Sequence, residues 1–78
     1  MRIRVEHRVD EHGASIPHML QFDGRHVNVV EMVDQWHGSD HHYVKVMCDD
    51  GCLYILRHDA MREAWELTMF KSGRFQSG

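Results

Sequence analysis

The sequence has no apolar run that approaches the roughly 18 residues of a membrane-spanning helix. Its first nine residues, MRIRVEHRV, lack the apolar block of a signal peptide, so we expect a cytoplasmic protein with no membrane partner. It also has no G-x-S-x-G, P-loop or G-x-G-x-x-G motif, and its four serines fall in predicted loops or in the tail. We therefore predict that the protein is not an enzyme and needs no cofactor.

Basic residues are in the minority, with nine Lys and Arg against twelve Asp and Glu and a formal net charge of −3. They are scattered along the chain, whereas nucleic-acid binding draws on a concentrated basic face. We do not expect nucleic acid as the partner. Histidine, in contrast, is abundant, with eight in 78 residues. Because its reference pKa is about 6.5, mild acidification should reverse the sign of the net charge.

Cysteine is nearly absent, but the two that occur, Cys48 and Cys52, are flanked by His42 and His58. The residue types are those of a Cys2His2 zinc site. If the two segments pair as a hairpin, however, the histidines lie roughly 20 Å from the cysteines at about 3.3 Å per residue. We interpret the cysteines as unbonded core thiols and the histidines as solvated, and keep all four only as weak metal candidates. The alternatives are a disulfide between Cys48 and Cys52, or metal half-sites of Cys48 with Cys52 or of His42 and His58 with His41 or His37.

Alternating apolar and polar residues predict strands from the N-terminus onward. The stretch 2–9 has the period of two that is typical of a half-buried strand. The next two apolar runs, 18–22 and 25–36, flank Asp23 and Gly24. An Asp-Gly pair in this position favours a two-residue type I′ turn, because both central residues of that turn need positive φ.

The stretch 25–36 is the densest run of β-branched residues in the chain. Its apolar phase slips near Val30 and Glu31, which predicts a β-bulge or a sharp bend in one long strand. A helix over 29–36 also fits the apolar spacing, but the four Val and one Asn in the ten residues 27–36 make poor helix material. We favour the strand.

A second hairpin is predicted around Asp49, Asp50 and Gly51. A three-residue loop with Gly51 in the left-handed position pairs Cys48 with Cys52 and gives a cleaner apolar face than a two-residue loop. The opposite, outer face is half apolar, which suggests cover by another strand or by a partner. That face would carry Tyr43, Lys45, Met47, Leu53, Ile55 and Arg57.

The segment after Asp59 leaves two structures open. Alternation over 64–70 predicts a closing strand, which we favour because it can cover a sheet edge. A helix over 59–70, capped by Asp59, fits nearly as well. We accordingly predict an all-β domain over residues 1–70, a five- or six-stranded antiparallel meander curled into an SH3-like barrel, followed by a flexible tail at 71–78. The alternative is an α+β fold with the C-terminal helix.

Three segments resemble a family of small bacterial β-barrel domains of unknown function. They are FDGRHVNVVEMVDQW at Phe22–Trp36, YILRHD at Tyr54–Asp59 and WEL at Trp65–Leu67, which carry the spaced F-x-G-R, D-x-W, Y-x-L-x-x-D and W-x-L positions of that family. The resemblance implies a strongly bent antiparallel sheet or SH3-like barrel and no particular activity. Gln35 stands where that family is expected to have a basic residue, which counts against an anion-binding role.

The half-apolar outer face and the lack of convergent polar residues predict a non-catalytic interaction module for a protein partner or a second copy of the chain. The candidate binding residues are Asp34, Trp36, Tyr43, Lys45 and Arg57. One alternative is a nucleic-acid-binding barrel whose aromatic residues stack on bases; another is a histidine-rich metal- or pH-responsive module. We expect instead that Trp36 and Trp65 close the two ends of the core.

Overall fold

The computed structural model describes residues 1–13, 15–59 and 61–71, and the predicted tail lies outside them apart from Lys71. Six strands account for most of the described residues: β1 Arg2–Val9, β2 Ser15–Phe22, β3 Arg25–His37, β4 His42–Cys48, β5 Leu53–Asp59 and β6 Ala64–Lys71. Consecutive strands pair antiparallel and β1 pairs with β6, so the meander closes into a barrel. The prediction of a small SH3-like barrel is confirmed. None of the described segments forms a helix of the length and apolarity needed to cross a bilayer.

Two long strands each serve both halves of the barrel. The first four residues of β3, Arg25–Asn28, pair with β2, and the rest, from Val29 onward, pairs with β4. Similarly, β1 pairs with β6 through Arg2 and Ile3, while its following residues pair with β2. The bend predicted in the stretch 25–36 is thus one of two corners that close the sheet.

The core is a thin layer of apolar side chains inside the barrel. Its fully or nearly fully buried members are Ile3, Leu20, Val27, Val44, Val46, Cys48, Tyr54, Leu56 and Trp65. Trp65, at 4% exposure, is buried in the core as predicted. Trp36 is 40% exposed, so the expectation that it closes the other end is wrong.

The register of β3 explains the exposure of Trp36. The pairing with β4 shifts between Val29 and Glu31, as predicted, and again between Met32 and Asp34. With the first bulge alone, Met32 and Trp36 would share a face, because they are four residues apart in a strand of period two. The second bulge reverses the facing, so Met32 packs against the core and Trp36 points outward. The helix considered for 29–36 does not form.

Both predicted hairpin turns are confirmed by their backbone angles. Asp23 and Gly24 have φ of 50° and 74°, as a type I′ turn requires. Gly51 has φ of 83°, and Met47 pairs with Leu53. The β4–β5 loop therefore has three residues, and the two-residue alternative is wrong.

The alternative of a C-terminal helix is also wrong. Asp59 does act as a cap, since its Oδ1 accepts hydrogen bonds from the backbone N–H of Met61 (3.1 Å) and of Arg62 (3.3 Å). The turn then ends at Glu63, whose φ of 54° is left-handed and cannot continue an α-helix. The chain re-enters the sheet as β6.

The second strand begins earlier than predicted, at Ser15 rather than His18. Its pairing with β1 is irregular, because Glu6 lies opposite Met19 while His7 lies opposite Pro17. His18 is the extra residue of this bulge. Proline is tolerated in a sheet at such irregularities, where the regular ladder of hydrogen bonds is interrupted.

Candidate functional site

The five candidate binding residues come together on the outside of the barrel. Trp36 of β3 lies opposite Tyr43 of β4, which lies opposite Arg57 of β5. Two residues away along each strand, Asp34 lies opposite Lys45. Directly paired residues project to the same side of a sheet, as do residues two apart in one strand. These five residues therefore form one continuous surface, called here the β3–β5 face.

The most prominent feature of the β3–β5 face is an aromatic stack. The rings of Trp36 and Tyr43 are nearly parallel, with an angle of 5° and centroids 5.6 Å apart. Offset stacking of this kind fixes both side chains relative to each other. Because Trp36 keeps 40% of its surface exposed, the stack presents a rigid apolar surface to solvent.

The loop between β3 and β4 shapes this stack. The N–H of Gly38 donates to the carbonyl oxygen of His41 at 2.7 Å. A Cβ at position 38 would lie 3.1 Å from Cε1 of Tyr43, which is closer than side-chain carbons normally approach. The absence of a side chain at Gly38 thus allows the Tyr43 ring to lie against the loop while it stacks on Trp36.

An ion pair borders the aromatic stack. Arg57 forms a hydrogen-bonded salt bridge with Glu66 of β6, which lowers the pKa of the Glu66 carboxyl. The same salt bridge raises the pKa of Arg57, and a hydrogen bond to Tyr43 adds to the effect. The positive charge of Arg57 is therefore balanced within the protein.

An open groove of about 590 Å³ continues from Arg57 and Glu66 toward the turn that precedes β6. The charged side chains that line it are Arg2, Asp40, Arg57, Asp59, Arg62 and Glu66. Several are paired with each other: Asp59 lies 3.8 Å from Nε of Arg62 and 4.0 Å from Nε2 of His41. Charges of both signs that neutralise one another favour recognition of a mixed protein surface over recognition of polyphosphate.

The structure separates the weak metal candidates into two pairs. His42 lies opposite His58 at one end of the barrel, while Cys48 and Cys52 flank the turn at the other end. Both thiols are free. Burial, followed by the nearby charge of Asp50, raises the pKa of Cys48 to about 12, so this thiol stays protonated and is a poor ligand or nucleophile at neutral pH. Over the described ranges, no three His, Cys, Asp or Glu side chains converge as a metal site.

The sequence did not reveal that five histidines gather at one end of the barrel. This group, called here the histidine cluster, consists of His7, His37, His41, His42 and His58. The sequence carried a partial signal, because His7 occupies the apolar phase of β1. Its approach to His58 depends on the β1–β6 closure, which no local pattern specifies.

The imidazoles of the cluster stack on one another and on Trp65. The rings of His37 and His42 are 4.5 Å apart at 13°, and those of His58 and Trp65 are 4.2 Å apart at 16°. His7 lies beside both of the latter, 6.2 Å from His58 and 5.8 Å from Trp65.

Burial disfavours charge on two of these rings, those of His42 and His58. His58 is 6% exposed. Among the described residues, neither Nε2 of His58 nor Nδ1 of His7 has a hydrogen-bond partner. Burial lowers the pKa of His58, despite the opposing charge of Glu63. The pKa of His42 is lowered by burial and then by His37 and His58. Within the cluster, the surroundings of His42 and His58 therefore favour the neutral imidazole.

Comparison with protein-family models, with curated proteins and with solved structures found no match for this chain. The resemblance noted in the sequence therefore stays a prediction, and the function has to be argued from the surface itself.

Proposed function

We propose that this protein is a non-catalytic interaction module that binds a protein partner on its β3–β5 face. The observation that carries the proposal is the Trp36–Tyr43 stack, in which a large aromatic side chain is rigidly held yet 40% exposed. Tryptophan and tyrosine are the residues most often found at energetic hot spots of protein interfaces. Because Trp36 is already immobilised by Tyr43, little side-chain entropy is lost when a partner covers it.

The surroundings of the stack support a protein partner. Met69 of β6 is 56% exposed and lies opposite Ile55 on the same outer side, so apolar surface extends from the stack across the sheet. The neighbouring charges alternate in sign, with Asp34 beside Lys45 and Arg57 beside Glu66. An apolar centre with a mixed polar rim is the usual composition of a protein interface.

Retention of a partner by immobilised protein tests the proposal at about pH 7.5, where the histidines are mostly neutral. We expect nuclease-treated cell extract to yield a protein that is retained by the wild type and lost on Trp36→Ala. A matched truncation elsewhere, Val9→Ala, should retain it, since Val9 is 64% exposed but lies in β1. Loss of an anchor residue of this kind costs about 2 kcal/mol of binding, roughly a thirtyfold weaker complex.

If the partner is a second copy of the chain, sedimentation of the protein should show a dimer, and Trp36→Ala should dissociate it. Equal retention by the two truncated variants would contradict the proposal, as would retention that requires nucleic acid in the extract. The latter result would instead favour the base-stacking alternative for Trp36 and Tyr43.

A further inference from the structure

The histidine cluster begins where the aromatic stack ends. Trp36 pairs with Tyr43, and the next pair along β3 and β4 is His37 with His42. This pair is the last of the β3–β4 ladder, so it holds together the strand ends that carry the stack. Its two imidazoles stack face to face, with centroids 4.5 Å apart.

We propose that the His37–His42 pair is a pH switch for the β3–β5 face: protonation of both imidazoles in mild acid separates the ends of β3 and β4 and thereby unstacks Trp36 from Tyr43. The switch rests on the proposed function of that face, because it would regulate partner binding there.

A hydrogen bond to Gln35 orients the His42 ring in both its neutral and its protonated form. Nε2 of His42 donates to Oε1 of Gln35 at 2.9 Å, which leaves Nδ1 of His42 without a proton in the neutral ring. The flat contact with His37 is then a contact of two uncharged aromatic rings. A proton on each ring turns the same contact into repulsion between like charges at 4.5 Å.

Other imidazoles add to this repulsion. His58 of β5 lies directly opposite His42 and is almost fully buried. His7 of β1 packs in turn against His58. A charge on His42 is therefore opposed by His37 on the β3 side and by His58 on the β5 side.

The carboxylates near the cluster act on histidines other than the His37–His42 pair. Asp59 is shared between His41 and Arg62, and Glu63 acts electrostatically on His58. Asp40 lies in the loop that lines the same groove as His37 and His42, and this exposed aspartate is the nearest group in sequence that could partly offset the new charge.

The direction of the effect follows from the groups involved. Because the pKa of His42 lies below 6.5, the His42 ring is neutral at about pH 7.5 and the face is assembled. The stack is lost as the pH falls below 6.5.

Fluorine NMR of protein labelled with fluorotryptophan tests the switch without any partner. The two tryptophans give separate signals, and Trp36→Phe assigns them. We expect the Trp36 signal to move between about pH 7.5 and about pH 5.5, with a midpoint below 6.5. His42→Gln should abolish this movement, and His37→Gln provides a second variant if the first does not fold. The matched control is His26→Gln, an exposed histidine near the opposite end of β3, which should move as the wild type does.

A Trp36 signal that ignores pH in the wild type would overturn the switch, as would an unchanged movement in both cluster variants. The outcome is independent of partner capture at about pH 7.5. If a partner is captured but the Trp36 signal does not respond to pH, only the switch is refuted. If the Trp36 signal responds to pH but no partner is captured, only the docking function is refuted.

Discussion

At the end of the barrel that carries the β2–β3 and β4–β5 turns, two aspartates accept hydrogen bonds from several neighbouring residues, whereas the opposite end is closed by stacked rings of histidine and tryptophan. Asp49 and Asp50 define the first, called here the aspartate end. The histidine cluster defines the second. The same barrel thus uses charge-assisted hydrogen bonds at one end and neutral aromatic packing at the other.

The aspartate end ties two hairpins together. Asp49 accepts the backbone N–H and the Nδ2 of Asn28 at 3.1 and 3.0 Å, and its own N–H donates to the carbonyl oxygen of Asn28. Asp50 accepts hydrogen bonds from the Tyr54 hydroxyl and from Arg25. Carboxylates with several donors are strong acceptors, and the contacts with Asn28 lower the pKa of Asp49.

The two ends of the barrel should lose stability in different pH ranges. His42 and His58 have lower pKa values in the folded protein than 6.5, so the unfolded chain binds protons more readily there. Stability contributed by these neutral rings is therefore lost as the pH falls below 6.5 through their folded pKa values. Asp49 has a folded pKa below 3.8, so its contribution persists above 3.8 and is lost only in stronger acid. Mild acid should therefore destabilise the end that carries the histidine cluster before it affects the aspartate end.

The largest expected effect comes from the aromatic packing at the histidine end. Trp65→Ala removes a buried side chain that stacks on His58, and should lower the free energy of unfolding by about 3–5 kcal/mol or leave the chain unfolded. The same substitution at the exposed Trp36 should cost less than about 1 kcal/mol. Urea unfolding followed by circular dichroism measures both. Equal losses would show that Trp65 does not support this end.

A smaller effect is expected at the aspartate end. Asp50→Asn weakens the acceptor for the Tyr54 hydroxyl and for Arg25, and Tyr54 is fully buried. The free energy of unfolding should fall by about 1–3 kcal/mol, and less in a Tyr54→Phe background, because the hydroxyl that loses its partner is then absent. The control is Asp23→Asn in the neighbouring exposed turn, with an expected change within about 0.5 kcal/mol. If the two Asn variants match, the hydrogen bonds at Asp50 contribute little.

Turn motifs and apolar periodicity were sufficient to predict most of the fold. The Asp-Gly and Asp-Asp-Gly turns fix hairpin register, because positive φ at Gly24 and Gly51 admits only certain turns. The bulge after Val29 was visible as a slip in apolar phase. The second bulge, near Val33, was not, because Val33 is apolar but 44% exposed and gives the same signal as a buried residue.

That hidden bulge also limited what could be predicted about the site. The sequence placed Tyr43 and Arg57 on one face of the second hairpin, since hairpin register follows from the turn, and the structure pairs them. The sequence also assigned Trp36 to the core, because one undetected residue reverses the facing of a strand end. The histidine cluster depends on His7 meeting His58 across the barrel, and such a contact is set by closure between the first and last strands.

Amide hydrogen exchange at two pH values tests most directly the claim that the two ends respond differently to acid. When the pH is lowered from about 7.5 to about 5.5, protection corrected for intrinsic exchange should fall about tenfold in β4 next to His42, and stay nearly constant near Cys48. His58→Phe, which keeps an aromatic ring against Trp65 but cannot be protonated, should reduce the loss. A uniform change over both ends, or a larger loss at the aspartate end, would contradict the account.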